Sequence, residues 1–421
     1  MTEKTPTQPA SSDEYDSSLL TVEQAQARIM ELAAPVQETE SLGLHDALNR
    51  VLAADSISPL NVPPHANSAM DGYAVSATDL PDSGEATLKV IGTSWAGRPF
   101  NSTAHGGECV RIMTGANIPA GTDTVIMQEH VQRNDDVITI GSGHSAGQNV
   151  RHPGEDIAEG STVLPAGQWI GSAELGLLAS LGIPHVKVKR RLRVAFFSTG
   201  DELQPVGSVL KEGQIYDSNR YTLHGMLSQL GVDIIDLGVI RDEPAAIETA
   251  FRDAAQQADA IITSGGVSVG EADFVKGILD KLGKVDFWRI AMKPGKPLAI
   301  GKVQRAMFFG LPGNPVSVMA TFYLFVQPAL RKMMGQTVIP PLRITASCKT
   351  TLKKRPGRME FQRGVLSIEN GKPVVDAAGM QASHILSGMS RANCFIELPL
   401  ETGNVAAGEA VTVLPFHGLI G

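Results

Sequence analysis

Apolar positions change texture along the chain. From Val22 they recur at Ala25, Ile29 and Leu32, the spacing of one helical face. Thr21 and Gln24 form a capping-box pattern at its start, and Pro35 stops it. A second short helix fits 45–54. From about Pro59 to Ile140, short β-branched runs at 88–92, 109–113, 124–128 and 137–140 are parted by Gly, Asn, Asp and Pro. That pattern reads as an all-β insert. Segment 147–160 is a polar loop, and 172–181 returns to helix with Gly182 as its C′ residue. The two helical pieces are expected to pack together as one discontinuous domain.

Residues 191–335 alternate differently. Strand patterns at 191–198, 232–240, 259–263, 285–290, 297–302 and 306–311 are interleaved with helical patterns at 218–230, 244–258 and 272–282. A last helix opens at Asn314-Pro315, with Asn as N-cap and Pro at the first helical position; it carries the apolar stripe Val318, Phe322, Phe325. The βαβαβ rhythm predicts a doubly wound, mostly parallel sheet with helices on both faces. After residue 340 the texture is β again. Asn370-Gly371 between two strand patterns is a strong hairpin signal, and 394–398 and 410–415 complete a small barrel or sandwich. The expected domains are a disordered tail 1–18, a discontinuous helical segment 19–58 and 141–188, a β insert 59–140, an α/β domain 189–336 and a C-terminal β barrel 337–421.

Composition narrows the function. The chain has 421 residues, 43 Gly and 25 Pro, so tight connections are frequent. The net charge of −8 gives no reason to expect a nucleic-acid partner. Cys109, Cys348 and Cys394 are dispersed and odd in number, which suits reduced thiols in the cytoplasm. No signal peptide and no apolar run of membrane-spanning length is expected.

In open α/β sheets, ligands bind outside the carboxyl ends of the strands. Read at those places, the chain offers Glu202, Asp242 and Asp273 as oxygen ligands. It also offers the glycine-rich run Ser264, Gly265, Gly266 to Ser268 and Gly270, the lysines Lys293 and Lys296 around a Pro-Gly pair, and Pro312 to Asn314. Three carboxylates suit Mg2+, which takes one or two plus substrate phosphates. The glycine run suits an anion cradle. It also fits a Gly-x-Ser-x-Gly nucleophile elbow, but the only later histidines, His384 and His417, lie in the C-terminal β region, so the cradle is preferred. The turns at Asp71, Thr114 and Asp156 carry no chemistry by their own patterns.

Seven motifs occur together in this order: Asn67-Ser-Ala-Met-Asp-Gly-Tyr-Ala74, Arg111-Ile-Met-Thr-Gly115, Gly154-Glu-Asp156, Ser198-Thr-Gly-Asp-Glu202, Ser264-Gly-Gly-Val-Ser-Val-Gly270, Lys293-Pro-Gly-Lys-Pro297 and Leu311-Pro-Gly-Asn-Pro315. The combination resembles the bacterial molybdopterin molybdenumtransferases, relatives of the gephyrin E domain, from about residue 20 to 417. The resemblance implies molybdate insertion into adenylylated molybdopterin with Mg2+ and release of AMP. It also implies a cytoplasmic homodimer, with an upstream adenylyltransferase and cofactor-accepting proteins as further partners. It assigns Asp71, Thr114, Asp156, Glu202, Asp242 and Asp273 to catalysis, the last three with the metal. Ser264, Gly265, Gly266, Ser268, Lys293, Lys296, Pro312, Asn314, Arg358 and Ser383 would bind substrate. Two alternatives stay open: an adenylylating nucleotidyltransferase on the same α/β domain, and a non-enzymatic scaffold.

Overall fold

The computed structural model describes residues 19–265 and 272–416. The chain divides into two compact units, one made of Ser41–Leu48 and Ala54–Lys187, the other of the segments to Glu40, Asn49–Ala53 and from Val188 onward.

In the first unit a six-stranded mixed sheet runs in the order Thr124–Met127, Gly72–Val75, Glu108–Ile112, Glu85–Ser94, Val137–Gly141, Val131–Asn134. Alternation along its strands buries Tyr73, Val75 and Ile126 on one face and Ala74, Val125 and Ile112 on the other. Helix Ser172–Ser180 follows, with Gly182 at φ +69° beyond its end. The expected helix at 45–54 is only a 3-10 turn, Leu44–Ala47. Leu48 leaves the helical region and Asn49 turns left-handed, at φ +60°, so no second turn can follow.

The second unit holds two six-stranded sheets. The α/β sheet has the order Asp233–Ile240, Arg193–Thr199, Ala260–Ser264, Ala306–Leu311, Pro297–Val303, Gly283–Arg289. Five strands run one way; Pro297–Val303 is antiparallel to both neighbours. Strands buried on both faces read as continuous apolar runs, and Val194 to Phe197 and Ala260 to Ile262 are fully buried. Phe251 of helix Pro244–Gln257 packs edge-on against Phe197 and Phe308, with ring centroids 5.2 and 5.4 Å apart.

The C-terminal sheet closes on itself: Met359–Glu369 pairs with Lys372–Ala377 on one side and with Cys394–Leu398 on the other, with Ile344–Cys348 and Ala410–Pro415 between. Closure pairs each of these five strands on both sides. Its hairpin turns at Asn370 and Gly371, both left-handed, at φ +50° and +76°.

Helix Val22–Leu32 carries the expected capping box, Gln24 N donating to Thr21 Oγ1 at 3.2 Å and Thr21 N to Gln24 Oε1 at 3.0 Å. It belongs to the second unit, where the sequence pattern grouped it with 172–181. The reason is a docking site on the last α/β helix. That helix runs from Pro315 to Met333 through a π turn, Phe322–Val326. Pro328 has no N–H to give to the Leu324 carbonyl four residues back. Gln26 Nε2 donates to that carbonyl at 3.1 Å, and Lys332 Nζ donates to the Met30 carbonyl at 2.6 Å.

A second tie fixes the start of the sheet. Arg190 grips Asp259 with both terminal nitrogens, at 2.7 and 2.9 Å, and Arg193 N donates to the same carboxylate at 2.9 Å. Burial pushes the Asp259 carboxyl up, but the Arg190 and Arg193 bonds outweigh it and hold it below the ordinary Asp range.

Replacing Gln26 by Leu should remove the donor at Leu324 and lower stability by about 1 kcal/mol in urea unfolding. Asp259→Asn should cost about 2–3 kcal/mol at neutral pH. The folded pKa lies below the unfolded one, so the wild type's advantage is complete above about pH 4 and fades as the pH falls through the folded value. Unfolding free energies of both proteins against pH check this.

Candidate functional site

The sheet order sets the order of the loops along its carboxyl rim. Asp242 follows the edge strand, and Gly200 and Glu202 follow its neighbour. Gly265 and then Pro312 to Asn314 come next, and the Met292–Pro297 turn closes the other end. Strand order reverses between Asp233–Ile240 and Ala260–Ser264, so the crevice opens where ligands bind in such sheets. Arg358 and the strap 381–384 reach in from the barrel. Together these residues line a cavity of about 650 Å³.

Of the residues picked out by sequence, Glu202, Asp242, Gly265, Lys293, Lys296, Pro312, Asn314, Arg358 and Ser383 line this cavity. Ser264 lies behind the wall, 2% exposed. Gly266 and Ser268 fall outside the described residues, as does the Asp273 side chain on helix Ala272–Leu282. Asp71, Thr114 and Asp156 are in the other unit. Asn314 does open a helix, but its side chain makes no capping bond.

Backbone packing shapes the middle of the rim. Gly265 sits at φ +90°, and a Cβ there would lie 2.9 Å from the Thr199 carbonyl oxygen. Its N–H donates to the Leu311 carbonyl at 3.2 Å. Asn219, on the first turn of helix Ser218–Leu230, clasps both loops: its Nδ2 donates to Ser264 Oγ at 2.8 Å and to the Gly313 carbonyl at 2.7 Å. The sequence reading missed Asn219. The same rim logic, applied to helix starts as well as strand ends, would have found it. It also left Thr199 and Gln381 unassigned, and both line the cavity.

The basic end is built across the two sheets. Met292–Lys293 pairs in parallel with Met359 and Glu360 of the barrel. Lys293 Nζ also donates to Glu360 Oε1 at 3.3 Å, and the buried Glu360 accepts from Gln362 Nε2 at 3.0 Å. Lys354, equally buried, donates to the carbonyls of Thr402, Arg355 and Leu400. Burial pushes its pKa down, against the pull of Glu360. With Lys296 and Arg358 in the wall, this end suits an oxyanion.

The acidic end suits a hard cation. Glu202 and Asp242 share the wall, and Thr199 Oγ1 is a buried oxygen with no partner among the described residues. Among those residues no three Asp, Glu, His or Cys side chains form a metal cage. Two carboxylates fit Mg2+ that takes its remaining ligands from substrate phosphate and water.

In the other unit, Asp71 Oδ1 accepts from Thr114 N at 2.7 Å and Thr114 Oγ1 at 2.8 Å. These bonds hold its carboxyl below the usual range. Asp156 is tied through its N–H to the Val62 carbonyl at 3.0 Å. Among the described residues, no helix is long and apolar enough to cross a membrane.

Comparison with known proteins assigns each region. Residues 20–182 match the MoeA N-terminal region (domain I and II), 195–332 a probable molybdopterin binding domain, and 345–416 the MoeA C-terminal region (domain IV). The chain is 50% identical to the molybdopterin molybdenumtransferase of Haemophilus influenzae, over 96% of this chain and 100% of that protein. It is 34% identical to gephyrin of Dictyostelium discoideum, over 90% of this chain and 59% of that one. A crystal structure of the molybdopterin biosynthesis moeA protein from Pyrococcus horikoshii superposes with a TM-score of 0.83 at 30% identity, covering 94% of this chain and all of that one. The chain therefore belongs to the molybdopterin molybdenumtransferases, enzymes of molybdenum cofactor biosynthesis.

Proposed function

We propose that this enzyme takes adenylylated molybdopterin and molybdate, cleaves the pyrophosphate link with Mg2+, releases AMP and leaves molybdenum on the molybdopterin dithiolene. The observation that supports this best is the sequence of groups along one rim. Carboxylates stand at one end, bare glycine backbone in the middle and cations at the other end. A substrate with a pyrophosphate and a tetrahedral dianion as co-substrate would use all three.

Lys293, Lys296, Arg358 and Ser383 would bind molybdate. Lys293 spends one N–H on Glu360 and keeps two for an oxyanion. The Gly265 and Gly313 loops, held together by Asn219, would carry the phosphates or the pterin close to the backbone. Glu202 and Asp242, with Asp273, would hold Mg2+, which supplies charge neutralisation at the phosphorus under attack. The rest of the catalysis is positional: the chain holds the phosphoryl group in line with an oxygen nucleophile and holds the dianion beside it. The reading includes a cytoplasmic homodimer and gives Asp71, Thr114 and Asp156 a part in the reaction.

AMP release from adenylylated molybdopterin should depend on both Mg2+ and molybdate. Asp242→Ala should lower it about 100-fold or more, with an unchanged circular dichroism spectrum, because a lost charge ligand costs several kcal/mol in the transition state. Wild-type rates in both Asp242→Ala and Glu202→Ala would remove the metal assignment. The double variant Lys293→Ala, Lys296→Ala should raise the KM for molybdate about tenfold or more, in line with the loss of charge-assisted bonds.

A further inference from the structure

The largest of the fully buried side chains is a charged one. Arg363, in barrel strand Met359–Glu369, is 1% exposed and does not line the cavity. Its guanidinium sits inside the strap 379–385. It donates to the carbonyls of Ala382 at 3.1 Å and Ile385 at 2.8 Å, to that of Met380, and to Gln381 Oε1 at 3.3 Å. Among the described residues, every hydrogen bond the guanidinium makes ends on a carbonyl oxygen. Gln381 closes the knot: its Oε1 also accepts from Arg363 N at 2.8 Å, and its Nε2 donates to the Arg363 and Gly379 carbonyls. Gly388 leaves room for the guanidinium, since a Cβ there would stand 3.3 Å from Arg363 Cζ.

A buried guanidinium that ends on main-chain oxygens fixes the path of the main chain. This strap has no helix or sheet ladder of its own between 379 and 386. What it delivers to the cavity is Gln381, Ala382, Ser383 and His384. The outer side is anchored too, Val316 N donating to the Ser383 carbonyl at 3.1 Å. That bond ties the strap to the helix that follows Asn314.

We propose that Arg363 is a positioning residue of the oxyanion subsite: it templates the strap so that Ser383 is presented to a tetrahedral dianion in the cavity it shares with the Lys293–Lys296 turn. The inference rests on the reading of this cavity as the molybdate site. Lysine cannot make the same set of bonds, because one ammonium lacks the planar fork.

The test is steady-state AMP release with molybdate varied, on Arg363→Lys and Gln381→Ala, with Tm as the control for folding. Arg363→Lys should raise the KM for molybdate about tenfold, leave the Kd for adenylylated molybdopterin within about twofold, and recover most of kcat at saturating molybdate. Gln381→Ala, which leaves the charge in place, should shift the same KM less, and it carries the test if Arg363→Lys does not fold. Adding Ser383→Ala to Arg363→Lys should cause little further loss, because the two changes remove the same contact. Unchanged molybdate KM in both single variants, or an equal fall in substrate affinity and kcat, overturns the proposal. If Lys293→Ala, Lys296→Ala shifts the molybdate KM and the Arg363 and Gln381 variants do not, only this inference fails. If none of them shifts it, the reading of the cavity fails as well.

Discussion

In a sheet whose strands all ran one way, the step from Gly283–Arg289 to the next strand would need a crossover, and its two ends would lie on opposite rims. Here Pro297–Val303 runs against both neighbours. The connection is then a short turn, and it stays on the carboxyl rim with the other loops. That one reversal keeps the whole Met292–Pro297 connection, with Lys293 and Lys296 on it, on the rim that carries Glu202, Asp242, Gly265 and Asn314. Reversed pairing also puts Met292 and Lys293 within reach of the barrel strand that begins at Met359. The short turn keeps the basic end of the cavity and the contact between the two sheets in one place.

Much of this was legible in the sequence because it is local. A capping box, a Pro at a helix start, an Asn-Gly hairpin and apolar runs buried on both faces act within a few residues. The elements they predict at 218–230, 272–282, 306–311 and 394–398 are found at those bounds. The rim residues could be named because strand ends are where such sheets bind ligands. The exceptions are physical too. The helix at 45–54 failed because Asn49 takes a left-handed turn that propensity does not reveal. The last helix contains a π turn, and the Pro328 that disturbs it is answered from a helix 298 residues away in sequence.

What the sequence hid is the layer behind the cavity wall. Asn219, Glu360, Arg363 and Gln381 act through bonds that cross from 17 to 94 residues of chain. None sits in a pattern that marks its role, since a buried polar residue in a strand looks like an outward-facing one until its neighbours are known. Arg363 shows this best: an arginine in a β run reads as surface, yet it is almost wholly buried.

The pairing of Met292–Lys293 with Met359–Glu360 has a consequence for how such a protein could change over generations. The α/β part has its own core and helices. A gene fragment encoding it alone would inherit the carboxylates, the glycine backbone and both lysines. It would not inherit the partner strand that holds Lys293 in register, nor Arg358 and Ser383. Such a fragment would keep its own core while losing one wall of the cavity. Drift in the barrel is therefore constrained by the cavity and the strand pairing that it shares with a different sheet.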